Sequence, residues 1–361
     1  MKTGQAIRRG MRSYGRSLLS GSLLVCCMSC TDWIYEDRSG CDRGVYLNFR
    51  YDYNLQRAVM FSDHVGGVTV YVFDADGDFV TSRSEANTAG SAPLRAKDYR
   101  MHLDLPAGEY RFVALAMQKE VAETQRGPGA KFRIAGPDGG KMEGLSVTLD
   151  HAPDGRVEHG GLPLDTLWHA MSPRSVVTSD LYAVSETLSL VRDTKHIDVV
   201  LREIDDPAGV DVADYDFRIT DRNLRLRYDN SVDESGPAVY TPYVAWNTED
   251  RTGREAAEGV GRMAHVGFMT SRILYHDRAE EDAVLTVTHR ETGREVIRVN
   301  LADMLARLRS ADELHACSEQ EFLDRGYDYR MTFFLKGDTW EAVDLEISVL
   351  NWSRRIQNVI L

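Results

Sequence analysis

Three cysteines crowd the stretch SLLVCCMSCTDW (residues 22–33), where a thiol could do three kinds of chemistry. Cys27 and Cys30 have the C-x-x-C spacing of a metal ligand pair or a redox couple, but no second pair follows and no βαβ pattern surrounds them. The remaining use is covalent attachment. Ser29 is a small residue directly before Cys30, the arrangement in which a thiol receives a diacylglyceryl group once a leader is cut. Cys30 is the expected lipidation site. Cys27 is the runner-up, with Leu24 three residues before it and Cys26 as its small neighbour, whereas Cys26 would need Val25 in the small position.

Elsewhere the residue types offer little catalysis. Asp74, Asp76 and Asp78 suggest calcium, but Gly77 falls fourth from Asp74, while a calcium loop places its glycine sixth. The Asp76-Gly77 pair reads better as a tight turn. His159-Gly160-Gly161 has the look of an esterase oxyanion loop, yet no G-x-S-x-G elbow exists, so a glycine-rich turn is expected. The ten histidines form no H-x-H or H-x-x-x-H pair, and His169, in the apolar run LWHA, reads as a satisfied core residue. No phosphate-binding glycine loop opens a helix. Carboxylates are numerous, and no pair is singled out for glycoside hydrolysis. No catalytic residue, metal ligand, cofactor or small-molecule substrate is assigned.

The elements around the cysteines explain the attachment. Lys2, Arg8, Arg9, Arg12 and Arg16 precede an apolar run from Leu18 to Met28, and no acidic residue occurs before Asp32. This is the order of an export signal, and its apolar run is well short of the roughly 20 residues a spanning helix needs. Arg8-Arg9 lacks the context of a twin-arginine signal, and Met11 is an alternative start. Removing residues 1–29 takes away five positive charges and no negative one, so the net charge moves from −13 to −18. So acidic a chain repels phosphate backbones, which excludes nucleic acid as a partner. Of the later cysteines, Cys41 and Cys317 either form one disulfide in an oxidising compartment or stay as two buried thiols.

Residues 30–43 are polar and read as a tether, whose fourteen residues reach about 45 Å when extended. Beyond it the chain alternates apolar and polar residues in short β-rich runs. GVYLNFRYDY (44–53) is a strand, VTVYVFDADGDFVTS (68–82) a hairpin, and YRMHLDLPAGEYRFVALAM (99–117) a second hairpin about Pro106-Ala107-Gly108. Further strands are expected at 144–149, 184–191 and 196–203. The pattern restarts with KHIDVVLREI (195–204), a hairpin-like YDFRITDRNLRLRYDN (215–230) and a hairpin about Gly293 in 283–301. An all-β chain follows, with one β-sandwich over 44–190 and another over 191–361. Two short helices are expected, one capped by Asn300 and one at 319–325. The last residues, apolar to Leu361, should pair in a sheet after a turn at Lys336-Gly337-Asp338.

Several phrases in order resemble the FimB-like fimbrial anchor subunits of Bacteroidales. They are DRSGCDRGVYLNFRYDYN (37–54), VTVYVFDADGDFV (68–80), LPAGEYRFVALA (105–116), LDTLWHA (164–170), DFRITDRNLRLRYDN (216–230), YTPYVAWN (240–247) and LEISVLNWSRRIQNVIL (345–361). The resemblance implies two tandem transthyretin-like (Ig-like) β-sandwiches on an outer-membrane lipoprotein, acylated with palmitate, at the base of a fimbrium whose length or release it limits. Asp32, Glu36 and Asp37 after Cys30 are also similar to the acidic surface-export tags of Bacteroidetes lipoproteins. Subunits of related fimbriae join by β-strand addition. The implied partners are therefore a fimbrial shaft subunit and outer-membrane lipid. Leu345, Ile347, Val349, Trp352, Ile356, Val359 and Leu361 mark the candidate partner strand; pairing within the chain's own domain is the alternative. Two rival functions remain. A surface glycan-binding lipoprotein would expose coplanar aromatics among Trp246, Trp340 and Trp352, and a lipid-anchored hydrolase would gather carboxylates in a cleft.

Overall fold

The computed structural model describes residues 42–206, 209–250, 261–311, 316–337, 339–349 and 352–359. The first half of the chain supplies β1 (Val45–Arg50), β2 (Gly67–Asp74), β3 (Phe79–Ala86), β4 (Arg100–Leu103), β5 (Gly108–Met117), β6 (Phe132–Ala135), β7 (Ser146–Leu149), β8 (Arg156–Val157), β9 (Leu167–Met171), β10 (Val176–Thr178), β11 (Val184–Ser189) and β12 (Val191–Arg192). The order β11-β1-β4 makes a small sheet, and β12-β9-β5-β2-β3 a larger one with β10 also paired to β5. Their facing side chains, among them Leu47, Val70, Phe112 and Trp168, form one core. The other face of the larger sheet is buried too: Phe73, Val113, Leu115 and Met117 join a second core with Phe132, Val147 and Leu149. That double burial explains why β5 reads FVALAM from Phe112 to Met117, continuously apolar where a half-exposed strand would alternate.

The second half supplies β13 (Lys195–Glu203), β14 (Tyr215–Asp221), β15 (Arg225–Arg227), β16 (Val232–Asp233), β17 (Ala238–Tyr240), β18 (Val244–Asp250), β19 (Gly261–Thr270), β20 (Val284–His289), β21 (Glu295–Asn300), β22 (Asp328–Lys336), β23 (Thr339–Val349) and β24 (Trp352–Val359). A six-stranded sheet, β18-β19-β13-β22-β23-β24, faces a five-stranded one, β21-β20-β14-β17-β8, and a third sheet runs β16-β15-β7-β6. Strands β6, β7 and β8 are contributed by residues 132–157 yet share the second core. No single cut of the chain therefore separates the two cores. The fold is all-β, as the alternation requires.

Local expectations meet mixed outcomes. Asp76-Gly77 turns β2 into β3, with Gly77 at φ +77° and Asp74 Oδ1 accepting from the Asp76 and Asp78 amides. The hairpins about Gly293 and Gly337 form as expected. The unit at 99–117 is not a hairpin, because β4 pairs with β1 while β5 pairs with β2. Residues 215–230 are likewise divided, β14 pairing with β20 and β15 with β7. Period-two alternation reports which face a strand buries, not which neighbour it meets. Both helices appear: Leu301–Ala306 is capped by Asn300 Oδ1 on the Asp303 amide, and Glu319–Arg325 by Ser318 Oγ on the Glu321 amide.

The two cores meet where Asp193-Thr194-Lys195 links β12 to β13, and the meeting is ionic. Lys195, 1% exposed, donates its ammonium to the carbonyls of Arg192, Asp324 and Gly326 at 2.8–3.2 Å. Arg272 grips Asp324 through two bonds of 2.8 and 2.7 Å and also donates to the Asn230 carbonyl. Asn230 in turn donates to Asp193 at 2.9 Å. Burial pushes the Asp193 carboxyl up and the Lys195 ammonium down. Arg192 lies over the rings of Tyr327 and Trp168, and Trp168 meets Tyr51 edge-on.

Strand directions then give the molecule two poles. β1 and β11 run in parallel from Val45↔Val184 toward Tyr51 and Arg192 at the junction. β13 and β22 start beside it, at His196↔Asp328, and run outward to Glu203↔Leu335. β23 returns and β24 runs outward again, so that Val359 sits opposite Ala342. Gly44 and Val359 thus stand at opposite ends.

Two outcomes follow for stability. Arg272→Met should cost about 3–5 kcal/mol, since it strands the buried Asp324 carboxylate, and Arg272→Met with Asp324→Leu should recover most of that loss; urea midpoints at unchanged slope would show it. His169 is buried, its Nε2 donates to the Tyr228 carbonyl at 2.8 Å, and burial is the main cause that lowers its pKa to about 4. The unfolded chain takes up this proton below 6.5 and the folded chain does not. Wild type should therefore lose stability relative to His169→Gln, by about 1.4 kcal/mol per pH unit, as pH falls from 6.5 to 4, with no such difference above 6.5. Denaturant titrations of both proteins across that window would measure the slope.

Candidate functional site

The C-terminal run Leu345–Leu361 is two strands, not one. β23 ends at Val349 and β24 begins at Trp352. Leu345 and Ile347 are fully buried, and β23 is bonded on both sides, Leu345 standing between Met331 and Ile356. The alternation Val343-Leu345-Ile347 against Asp344 and Glu346 turns the first set into the core. Trp352, Ile356 and Val359 belong to β24, and Leu361 lies outside the described residues. β24 is the outermost of six strands; among the described residues no further strand bonds its outer edge. An edge strand presents a row of backbone N–H and C=O groups open to another chain. The tight turns of Arg307–Ala311 lie against β23 and β24.

The opposite edge of that sheet is β18, which exposes Val244 and Trp246. Trp246 stacks flat on His265, rings 5.0 Å apart and 9° from parallel, and His265 is further held by Thr248 at 2.7 Å. Burial lowers the His265 pKa. Asn247 accepts from the Val212 amide and donates to Asp211, which ties a neighbouring turn to β18. Three strands separate β18 from β23, where Trp340 packs against the core perpendicular to Phe333. Trp246 and Trp340 therefore form no common platform.

Beside β18, His196 Nδ1 meets Asp328 at 2.7 Å, and its Nε2 faces Tyr243 and Asp198. Burial works against the charge on this imidazole, but the Asp328 hydrogen bond and the Asp198 carboxylate outweigh it and raise the pKa. Arg330 completes the group at 3.2 Å from Asp198. Every charge here has a partner, so the cluster ties β13, β22 and Tyr243 together and leaves no free base.

The remaining chemical candidates resolve into structure. Gly160 and Gly161 sit at φ +61° and +75° in a turn closed by Leu162 N on the His159 carbonyl. Among the described residues, no group of three His, Cys, Asp or Glu side chains could hold a metal. A cleft of about 650 Å³ is lined by His64, Asn87, Arg95 and Lys119 together with three carboxylates, Asp63, Glu120 and Glu123, of which Glu123 pairs with Lys119 at 3.8 Å. Cys317 is buried just before the Glu319–Arg325 helix, and Arg309 donates to its carbonyl at 2.8 Å. Cys27, Cys30 and Cys41 lie outside the described residues. Sequence reasoning missed the buried Asp193 and Lys195; their only signal was a charged pair, D-T-K, set between apolar strands.

Comparison with known proteins gives a consistent answer. The family model of fimbrillin-A associated anchor proteins Mfa1 and Mfa2 matches residues 38–358. The chain is similar to the minor fimbrium anchoring subunit Mfa2 of Porphyromonas gingivalis, 22% identical over 295 residues, which are 80% of this chain and 79% of that one. Among solved structures it resembles a candidate adhesin of Bacteroides thetaiotaomicron (29% identity, TM-score 0.69). It also resembles a candidate polysaccharide-binding protein of the same organism (27% identity, TM-score 0.65). Each match covers 88% of this chain and 98% of the other. With a match that spans nearly all of its sandwich-forming residues, this chain belongs to the fimbrillin-A associated anchor protein family.

Proposed function

We propose that this chain is a structural, non-enzymatic lipoprotein that holds a fimbrium to the outer membrane and limits its length. The observation that carries the reading is the anchor-family match over residues 38–358. Cys30 would take the acyl chains after a leader of residues 1–29 is cut, and residues 30–43 would link it to the body. The shaft subunit would join by β-strand addition along β24, where backbone bonds give affinity and alternate side chains fix register. Two features support this choice of edge. β24 is eight residues long, and it ends at the pole opposite Gly44, so membrane and shaft are held apart.

A glycan-binding reading draws on the name of one structural relative and on the exposed Trp246. A lone indole stacked on its own histidine offers one ring face, which is a weak hold on a polysaccharide. Polysaccharide that quenches wild-type fluorescence but not that of Trp246→Ala would favour this second reading.

In cells fed labelled palmitate, Cys30→Ala should lose the label and Cys27→Ala should keep it. Label retained by Cys30→Ala would move the attachment point. Deleting the gene should give longer fimbriae shed into the medium, and a chain ended after Val349 should stay on the membrane yet fail to retain the shaft. Unchanged fimbrial length and retention in the deletion strain, seen by electron microscopy, would remove the anchor reading.

A further inference from the structure

The exposed apolar side chains are not spread evenly. Among the described residues, the three most exposed large hydrophobics are Val177, Tyr182 and Leu181, at 69%, 60% and 58%. They fall within six residues of one another at the pole where the chain enters at Gly44: Val177 pairs with Glu109 at the start of β5, and the Val184 amide donates to the Gly44 carbonyl. Phe79 and Val80, also exposed, stand at the same end of the larger sheet, where Phe79 pairs with Phe73 beside the β2–β3 turn.

This loop is built to present its tip. Thr178 Oγ1 donates to the Pro106 carbonyl at 2.6 Å, and Asp180 Oδ1 accepts from the Ala107 amide at 2.9 Å. Ser179 Oγ accepts from the Leu181 amide at 3.1 Å. Pinned on both sides to the Pro106–Gly108 turn, Leu181 and Tyr182 project from a fixed base, so little further ordering is needed when they are covered. Carboxylates border the tip: Asp180, exposed beside Leu181, accepts the Ala107 amide, Glu109 stands opposite Val177, and Asp104 is paired with Arg43 at 2.6 Å.

We infer that the Leu181–Tyr182 loop seats this pole of the body on the lipid surface to which the tether leads. The inference rests on the lipidation of Cys30 proposed above. Residues 30–43 allow the body to stand as far as about 45 Å from the bilayer, so the tether alone does not set its distance or its tilt. A leucine and a tyrosine at the tip do, because a tyrosine ring settles at a membrane interface with its hydroxyl in the head-group layer. The sheet edge at β24 is then directed away from the membrane.

The test uses the acylated full-length chain reconstituted into phosphatidylcholine vesicles, with ordinary or brominated acyl chains. Bromine quenches only indoles that reach the bilayer. Tyr182→Trp should lose more emission in brominated vesicles than wild type does, with a blue-shifted maximum, whereas Val59→Trp, equally exposed but in the loop beside Tyr51, should match wild type. Tyr182→Trp that floats with the vesicles but is quenched no more than wild type overturns the seated loop and leaves the lipid anchor standing. Failure of the chain to float overturns both. An indole unquenched in vesicles and shifted only when the shaft subunit is added assigns the loop to that partner and also overturns the inference.

Discussion

The geometry of the molecule depends on the ion network buried where its two cores meet. Lys195 places its ammonium among three carbonyls, two of them at the C-terminal end of the Glu319–Arg325 helix, where the orphan carbonyls of the last turn need donors. Arg272 reaches the Asp324 side chain of that helix and the Asn230 carbonyl of the β15–β16 turn. A hydrophobic contact could slide by a residue; these bonds have one geometry. Well-packed apolar residues would serve stability about equally, since a buried ion pair seldom gains much net free energy. What the ions add is direction. They fix β13 and β22 at their first residues, and the rest of the six-stranded sheet takes its register from those two strands.

A tension-bearing link would need such a joint. Force entering at Gly44 and leaving at Val359 would pass along β1, through the junction, and out along β13, β22, β23 and β24. The steps from β13 to β24 are long ladders of backbone bonds, and the junction itself is held by the ion network. The segment 132–157 adds a second tie, because β7 pairs with β15 and β8 with β17 of the second half, while β6 is bonded to β7. Its other contact is with the first half, where Met142 N bonds the Gly77 carbonyl and Lys141 bridges Asp78. Separating the two cores would mean breaking sheets as well as the ion network.

The sequence showed the strands far better than it showed their partners. Alternation in KHIDVVLREI and YRMTFFLK identified half-buried strands, and the cap at Asn300 marked the first of the two helices, because these signals lie within a few residues. Pairing is set by contacts across the chain, so PAGEY looked like a hairpin although it carries the chain from one sheet to another. The run 99–117 reads as alternating hairpin strands, whereas Phe112–Met117 of β5 is buried on two faces, one of them under the third sheet. The restart near residue 195 was legible as a change of core; the crossing of residues 132–157 was not, since no local pattern distinguishes a strand that stays from one that leaves. The candidate partner run 345–361 divides between two strands. Leu345 and Ile347 are core residues, while the chain after Trp352 is the edge.

Open edges are a hazard, which makes the difference between these edges informative. β3 carries the exposed Arg83, which bonds the His102 carbonyl, and the half-buried Glu85. β18 is tied by Asn247 to the 211–213 turn, and the acidic chain repels copies of itself. These are the usual means of discouraging strand-on-strand association. Among the described residues no further strand pairs with the outer edge of β24, and the turns of Arg307–Ala311 lie against β23 and β24. Were the chain attached at its Gly44 end as proposed, β24 would be an eight-residue edge at the far pole, the asymmetry that a one-sided joint would need.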